Sequence, residues 1–321
     1  MEAGCLRHKY CDIKDFRGDE IVSPMYGRLE EKKYLYTNVV FTSRGCLNRC
    51  GFCYNSSENR LYARRPVLNV IKDIKAIGSR HILFIDDHFI GNPKYTHELL
   101  EELAGMNLVW SAAVTTKILD FPDLLDLMAK TGCRSLFIGF ESINTASLES
   151  VNKDNQVKRY EELVGSIHSR GIMINASMVF GLDGDANDTF RRTLEWLVKM
   201  RIETLTSHIL TPYPGTELYR NMDKAGRITD RNLGKYNTAN VVFTPAGMTA
   251  EELYEGYRWM YRQFYSFPNI IRRFPKNKGQ RKSYLLFNLF YRKFGRFTSM
   301  ATRFVPIGIM GKLAMKISYK V

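Results

Sequence analysis

Cysteine is scarce in this 321-residue chain, six residues in all, and the six are unevenly placed. That excludes the disulfide framework of a small secreted domain and suits a reducing cytosol. Long apolar runs are missing too. No stretch approaches the roughly 20 consecutive apolar residues of a membrane-spanning helix. The opening MEAGCLRHKYCD is polar and charged, without the apolar region of a secretory signal, so the expectation is a cytoplasmic chain. Acidic residues run out after Glu255: from Gly256 to Val321 there is no Asp or Glu, against 15 of the 47 Lys and Arg. The remaining 32 basic residues face 33 acidic ones, so the body is nearly neutral and the tail carries the formal excess of +14. The high isoelectric point is therefore no argument for nucleic-acid binding by the body.

What is present is concentrated. Cys46, Cys50 and Cys53 fall within eight residues, spaced CxxxCxxC, directly after the strand-like run Val39, Val40, Phe41, Thr42. Thiolates this close in sequence can converge on one metal centre, and soft sulfur favours iron–sulfur, zinc or copper(I) over a hard cation. A closed zinc site needs a fourth ligand, usually Cys or His at recognisable spacing, and none follows nearby. A cluster held by three cysteines leaves one iron open to another ligand. On spacing alone a structural or redox-sensing cysteine group stays open.

With Phe52 before the last cysteine, the segment resembles the CxxxCxΦC signature (Φ aromatic) of the radical S-adenosylmethionine (SAM) enzymes. The resemblance implies that Cys46, Cys50 and Cys53 hold a 4Fe-4S cluster whose open iron chelates the amino and carboxylate groups of SAM. One electron then cleaves the sulfonium, giving a 5′-deoxyadenosyl radical that abstracts hydrogen from a substrate. Phe52 would lie near the adenine, and a reductant protein such as flavodoxin or ferredoxin would supply the electron.

Residues 1–35 have no clear period and read as an irregular lead-in, with His8 between Cys5 and Cys11. Free thiols are the plainer reading of those two, and a buried core position that of Cys133. From about residue 36 to 245, strand-like runs alternate with amphipathic helical stretches about six times. The expected strands are Tyr36 to Thr42, His81 to Ile85, Leu108 to Val114, Leu136 to Phe140, Ile172 to Phe180 and Leu205 to Leu210. Such alternation argues for an α/β fold with a parallel sheet covered by helices. Six units are too few for a closed eight-fold barrel and suit the partial (β/α)6 barrel of the radical SAM type. Parallel α/β folds place their chemistry at the carboxyl ends of strands.

The resemblance runs over roughly residues 37 to 265. FIDDHFIGN, LMAKTGCRSLFIGFES, VFGLDGD and TPYPGTEL are similar to successive strand-end motifs of the radical SAM branch that usually carries an N-terminal cobalamin-binding domain. It implies SAM contacts at Asp86, Asp87 and His88 (the amino group), at Glu141 and Ser142 (the ribose and methionine part) and near Phe180 and Gly181 (the adenine). Pro212 to Thr216 would form the last wall of the cleft. The bland readings stand beside these: an Asp pair after a strand can be a helix cap, and Pro-Tyr-Pro-Gly is a natural turn. Glu141 stands out, because a carboxylate ending an apolar strand is costly unless it meets a cation or donors. His88 and His208 are candidates for substrate contact or proton transfer, beside the reading of neutral structural histidines. The lead-in is too short for a cobalamin domain and holds no Asp-x-His-x-x-Gly stretch, so the expectation is that cobalamin-dependent methylation does not carry over from the branch unless another chain supplies that domain or this chain is a shortened product. No cysteine follows Cys133, which argues against an auxiliary cluster domain.

Residues 246–321 form the expected helical, basic extension. Thr249 and Glu252 make a capping box for a helix whose Leu253, Tyr257, Met260, Tyr261 and Phe264 share one face. A looser segment is expected from Pro268 to Lys282, then apolar clusters broken by single Lys and Arg residues. This pattern suits peripheral contact with an anionic membrane, or simple packing on the core; nucleic acid is disfavoured. The sequence thus supports an enzyme that reductively cleaves SAM at a 4Fe-4S cluster to start hydrogen abstraction from an unidentified, lipid-like substrate. The alternative is a non-catalytic or regulatory iron–sulfur protein that partners a cobalamin-bearing chain.

Overall fold

The computed structural model describes residues 17–29, 34, 36–56 and 62–289. Cys5, His8, Cys11 and the tail beyond residue 289 lie outside the described residues. Along the chain, β1 (Val39–Val40) is followed by a small antiparallel pair, β2 (Ser43–Arg44) and β3 (Ala63–Arg64), then by α1 (Val67–Ile77) and β4 (His81–Phe84). Next come α2 (Pro93–Leu103), β5 (Val109–Val114), α3 (Pro122–Lys130), β6 (Cys133–Glu141), α4 (Thr145–Glu149) and α5 (Tyr160–Ser169). β7 (Met173–Phe180), α6 (Thr189–Lys199), β8 (Thr204–Ile209), α7 (Glu217–Lys224), α8 (Ala250–Phe264) and α9 (Phe267–Arg272) follow, and a last described helix spans 281–289.

The main sheet has six strands in the order β1-β4-β5-β6-β7-β8, and every pairing is parallel. Each new strand is laid beside the last without reversal, which is barrel winding rather than a doubly wound sheet. Tyr36 and Asn38 at one edge and Thr204 and Thr206 at the other line a single cavity, so the sheet curls into a partial barrel. The helix-facing side carries the core, with Phe84, Trp110, Leu136, Ile138, Phe140, Ile174 and Phe180 all nearly inaccessible. Phe84, Phe89 and Trp110 meet at centroid distances of 4.8–5.4 Å, and Phe140, Tyr160 and Trp196 at 4.9–5.8 Å.

Local signals explain the element ends. Gly78 closes α1 at φ 64°, Asn92 caps α2 by accepting from the Tyr95 amide, and Thr249 and Glu252 form the expected capping box of α8. The first strand is shorter than the expected run from Tyr36 to Thr42. The amides of Thr42 and Ser43 donate to the Asp86 carboxylate instead of continuing the ladder. The fourth expected strand is longer, running Cys133–Glu141, because Cys133 and Ser135 pair with Trp110 and Ser111.

The open edge of β8 is covered by α8. Tyr261 and Tyr265 stack with rings 6.3 Å apart and nearly parallel. The Tyr261 hydroxyl accepts from the Ser207 amide (2.9 Å) and donates to its carbonyl (3.1 Å); the Tyr265 hydroxyl does the same at Leu205 (3.2 and 3.1 Å). A rise of about 6 Å over four helical residues matches about 6.6 Å over two strand residues, so one helix face imitates a neighbouring strand and blocks edge pairing. Beyond it, the segment expected to be looser is built in. Arg273, fully buried, donates to the carbonyls of Ile202, Glu203 and Phe264 and to Asn288 Oδ1, and Tyr284 donates to the Ile270 carbonyl. No helix among the described residues is long and apolar enough to cross a membrane.

Candidate functional site

The cysteine loop leaves the carboxyl end of β1 and is strapped down on three sides. At its start, Asp86 collects the amides and hydroxyls of Thr42 and Ser43 at 2.6–3.1 Å. Gly51 donates to the Val151 carbonyl (2.8 Å), and its own carbonyl accepts from Leu218 at the start of α7 (3.0 Å). Asn152 Nδ2 reaches the Arg49 carbonyl (3.2 Å). Gly45 turns the chain at φ 80° into Cys46.

Cys46, Cys50 and Cys53 are free thiols. Burial pushes the Cys53 thiol up to about 11, with the charges of Cys50 and Cys46 adding to it, and burial likewise raises Cys50 against the pull of Lys153. The three groups therefore lie within electrostatic reach of one another and of a buried ammonium. Among the described residues no three Cys, His, Asp or Glu side chains stand close enough to share a single metal ion. The fit to an iron–sulfur cluster rests on the donors themselves, three soft thiols carried on one short loop. Cys133 is elsewhere, fully buried at the amino end of β6.

Glu141 ends β6 beside this loop. It sits at φ 63°, where the β6–β7 register shifts, an unusual conformation for a non-glycine residue. Its Oε1 lies 3.4 Å from Lys153 Nζ, and Ser177 Oγ donates to Oε2 at 3.3 Å. Burial works against the Lys153 charge, but Glu141, Cys50 and Cys46 outweigh it and hold the ammonium above its usual range. His208, also at this end, hydrogen-bonds Thr238 through Nδ1 (3.1 Å) and is lowered by burial, with Glu141 opposing. A carboxylate and an ammonium side by side meet both signs of a zwitterionic ligand.

The remaining expected residues divide. Asp86 is buried and fully engaged with Thr42 and Ser43, so it positions the loop; burial pushes its carboxyl up against those donors. Asp87 is exposed at the mouth, where its charge, after burial, raises the Tyr54 hydroxyl next to Cys53. Phe52 is half-buried against the core. His88 is 7 % exposed with Nδ1 lacking a hydrogen-bond partner, and burial, then Lys153 and Lys117, lower it to about 4. Ser142 is buried and accepts from the Asn144 amide. The Phe180 side chain turns to the helix layer, 4.8 Å from Phe190, leaving only its backbone at the strand end. Gly181, at φ 95°, is packed so tightly that a Cβ would lie 2.7 Å from Leu253, and its amide donates to Asp185. Thr216 caps α7, which places Pro212 to Thr216 against the cysteine loop.

Lys153, Ser177 and Asn155, which donates to the Gly139 and Phe140 carbonyls, were not among the expected residues. Lys153 lies in the polar loop Val151-Asn152-Lys153-Asp154-Asn155, where nothing in the pattern distinguishes it from a solvated lysine.

Comparison with known proteins agrees with this geometry. Residues 40–197 match the radical SAM superfamily, and residues 216–313 match a domain of unknown function, DUF4070. The chain is 30 % identical over 250 residues to the bacteriochlorophyllide d C-12(1)-methyltransferase of Chlorobaculum tepidum, covering 75 % of this chain and 54 % of that protein. It is 30 % identical over 220 residues to the hopanoid C-2 methylase of Rhodopseudomonas palustris, covering 64 % of this chain and 41 % of that protein. It thus spans about half the length of the relatives it matches. The radical SAM methyltransferase TsrM from Kitasatospora setae, solved with cobalamin and a 4Fe-4S cluster, shares the fold at a TM-score of 0.55 and 19 % identity, over 71 % of this chain and 43 % of that one. By its core, its parallel partial barrel and its three-cysteine loop, the chain belongs to the radical SAM superfamily.

Proposed function

We propose that the chain is a radical SAM enzyme that starts hydrogen abstraction from an apolar substrate. The observation that carries this reading is the buried Glu141–Lys153 pair set beside the three free thiols at the carboxyl mouth of the barrel. Cys46, Cys50 and Cys53 would hold the cluster. A 4Fe-4S cluster held there would supply the one electron for cleavage of SAM's sulfonium to methionine and the 5′-deoxyadenosyl radical that starts hydrogen abstraction. The chain's own residues bind and orient. Lys153 faces a carboxylate, Glu141 accepts from ammonium or hydroxyl groups, and Asp86 fixes the start of the loop. The curled sheet encloses the reacting groups and shields them from water. A flavodoxin- or ferredoxin-like protein would donate the electron. The basic extension, where it continues past the described residues, would touch anionic lipid.

Anaerobic reconstitution with iron and sulfide tests the ligand set. Cluster absorbance is expected in wild type and in Cys133→Ala, and is expected to be lost in Cys46→Ala, Cys50→Ala and Cys53→Ala. A cluster that survives all three replacements overturns the assignment.

A further inference from the structure

At the end of the barrel opposite the cysteine loop lies a cavity of about 520 Å³. It is lined where strands begin, by His81, Val109, Ser135, Met173 and Thr204, and Phe287 of the helix 281–289 also borders it. Its size is within the about 300–1,000 Å³ of small-molecule sites.

The wall is chemically quiet. Its apolar surface includes Leu83, Phe137, Met173 and Phe287. Several of its polar side chains are spent on the protein: Asn38 Nδ2 donates to the His81 carbonyl, Thr206 to Asn175 Oδ1 at 3.0 Å, Tyr265 to the Leu205 carbonyl and Tyr284 to the Ile270 carbonyl. Glu203 accepts from the Ile174 amide and pairs with His168. Asn38 Oδ1 is buried without a hydrogen-bond partner, and the hydroxyls of Ser111, Ser135 and Thr204 also line the cavity. A closed eight-stranded barrel fills its interior with bulky branched residues. Here Ser111, Ala113 and Ser135 line the cavity and leave that space open.

We infer that this cavity binds a largely apolar small molecule that carries a hydroxyl or amine donor for Asn38 Oδ1. That this ligand is the substrate rests on the radical reading above, whereas the cavity's affinity for an apolar ligand does not. Binding is driven by removing hydrocarbon from water, and the mainly apolar wall discriminates against polar molecules of the same size.

The test is a fluorescence titration of cis-parinaric acid, a polyene fatty acid, into the full chain with its cluster loaded. Saturable binding is expected, displaced by a long-chain aliphatic alcohol and not by butyrate. Ser135→Phe and Ser111→Leu, on neighbouring strands, should each weaken it at least tenfold while cluster absorbance and the melting transition persist. No saturable binding, displacement by butyrate as effective as by the alcohol, or undiminished binding in both folded variants overturns the inference. Release of 5′-deoxyadenosine is read separately on wild type. Probe binding without release supports the cavity and sinks the radical reading; release without probe binding sinks the cavity alone.

Discussion

Lys153 Nζ stands 3.4 Å from Glu141 Oε1, with both side chains about nine-tenths buried, and the pair joins the loop after α4 to the end of β6 beside Cys46 and Cys50. Neither charge is affordable alone at that depth. Removing one partner of a buried pair typically costs about 3–5 kcal/mol, and the long contact places this pair at the lower end. Lys153→Met should therefore lower thermal stability by about 3 kcal/mol and weaken SAM binding at least tenfold. Lys153→Arg should recover much of the stability and less of the affinity, as read by melting curves and equilibrium dialysis.

Gly139 controls the same carboxylate. A Cβ built there would lie 2.5 Å from Glu141 Oε1 and 3.4 Å from Lys153 Nζ. Since the atom it meets is the end of a side chain, Gly139→Ala should push Glu141 away from Lys153 rather than unfold the sheet. We expect a stability loss of about 1–2 kcal/mol together with a larger relative loss of SAM affinity. Affinity equal to wild type would contradict the role given to Glu141.

Acid stability should show two opposed groups. Burial raises the Asp185 carboxyl to about 6, against hydrogen bonds from Ser147, Gly181 and Leu182. The folded state therefore binds more protons than the unfolded one between about 4 and 6, and this group lowers stability as pH rises through that window. His88, lowered to about 4, does the reverse: the folded state binds fewer protons between 6.5 and 4, and stability falls as pH drops. Each effect is on the order of 3 kcal/mol. Urea titrations from pH 7 to 4 should show a steeper acid loss in Asp185→Asn than in wild type, and a shallower one in His88→Gln.

These residues also mark what can be read from sequence. The strands and helices were legible because their apolar periods differ, two against 3.6, and because Gly78, Asn92 and Thr249 carry end signals of their own. The cysteine loop was legible from its spacing and Glu141 from a charge at the end of an apolar run. Lys153 was not, since its meaning comes from a contact twelve residues away in a loop without a period. The engagement of Asp86 was hidden for the same reason, its partners lying 43 and 44 residues distant. The segment from Pro268 to Lys282 read as loose because Arg273, Tyr284 and Asn288 are held by long-range polar contacts that no hydrophobic pattern announces.

The basic extension gives a further prediction. With no acidic residue after Glu255 and 15 cationic ones, the full chain should co-sediment with vesicles containing anionic lipid and not with neutral vesicles. The binding should weaken as salt rises. Equal binding to both kinds of vesicle, or to neither, would remove the lipid reading and leave packing on the core.

The central claim is that the three thiols and the Glu141–Lys153 pair make one SAM-cleaving centre. The most direct measurement is 5′-deoxyadenosine released from SAM by the anaerobically reconstituted, dithionite-reduced chain. Release is expected from wild type, at least tenfold less from Lys153→Met at limiting SAM, and none from Cys50→Ala. A wild-type chain that carries its intact reduced cluster, binds SAM and releases no 5′-deoxyadenosine would contradict it.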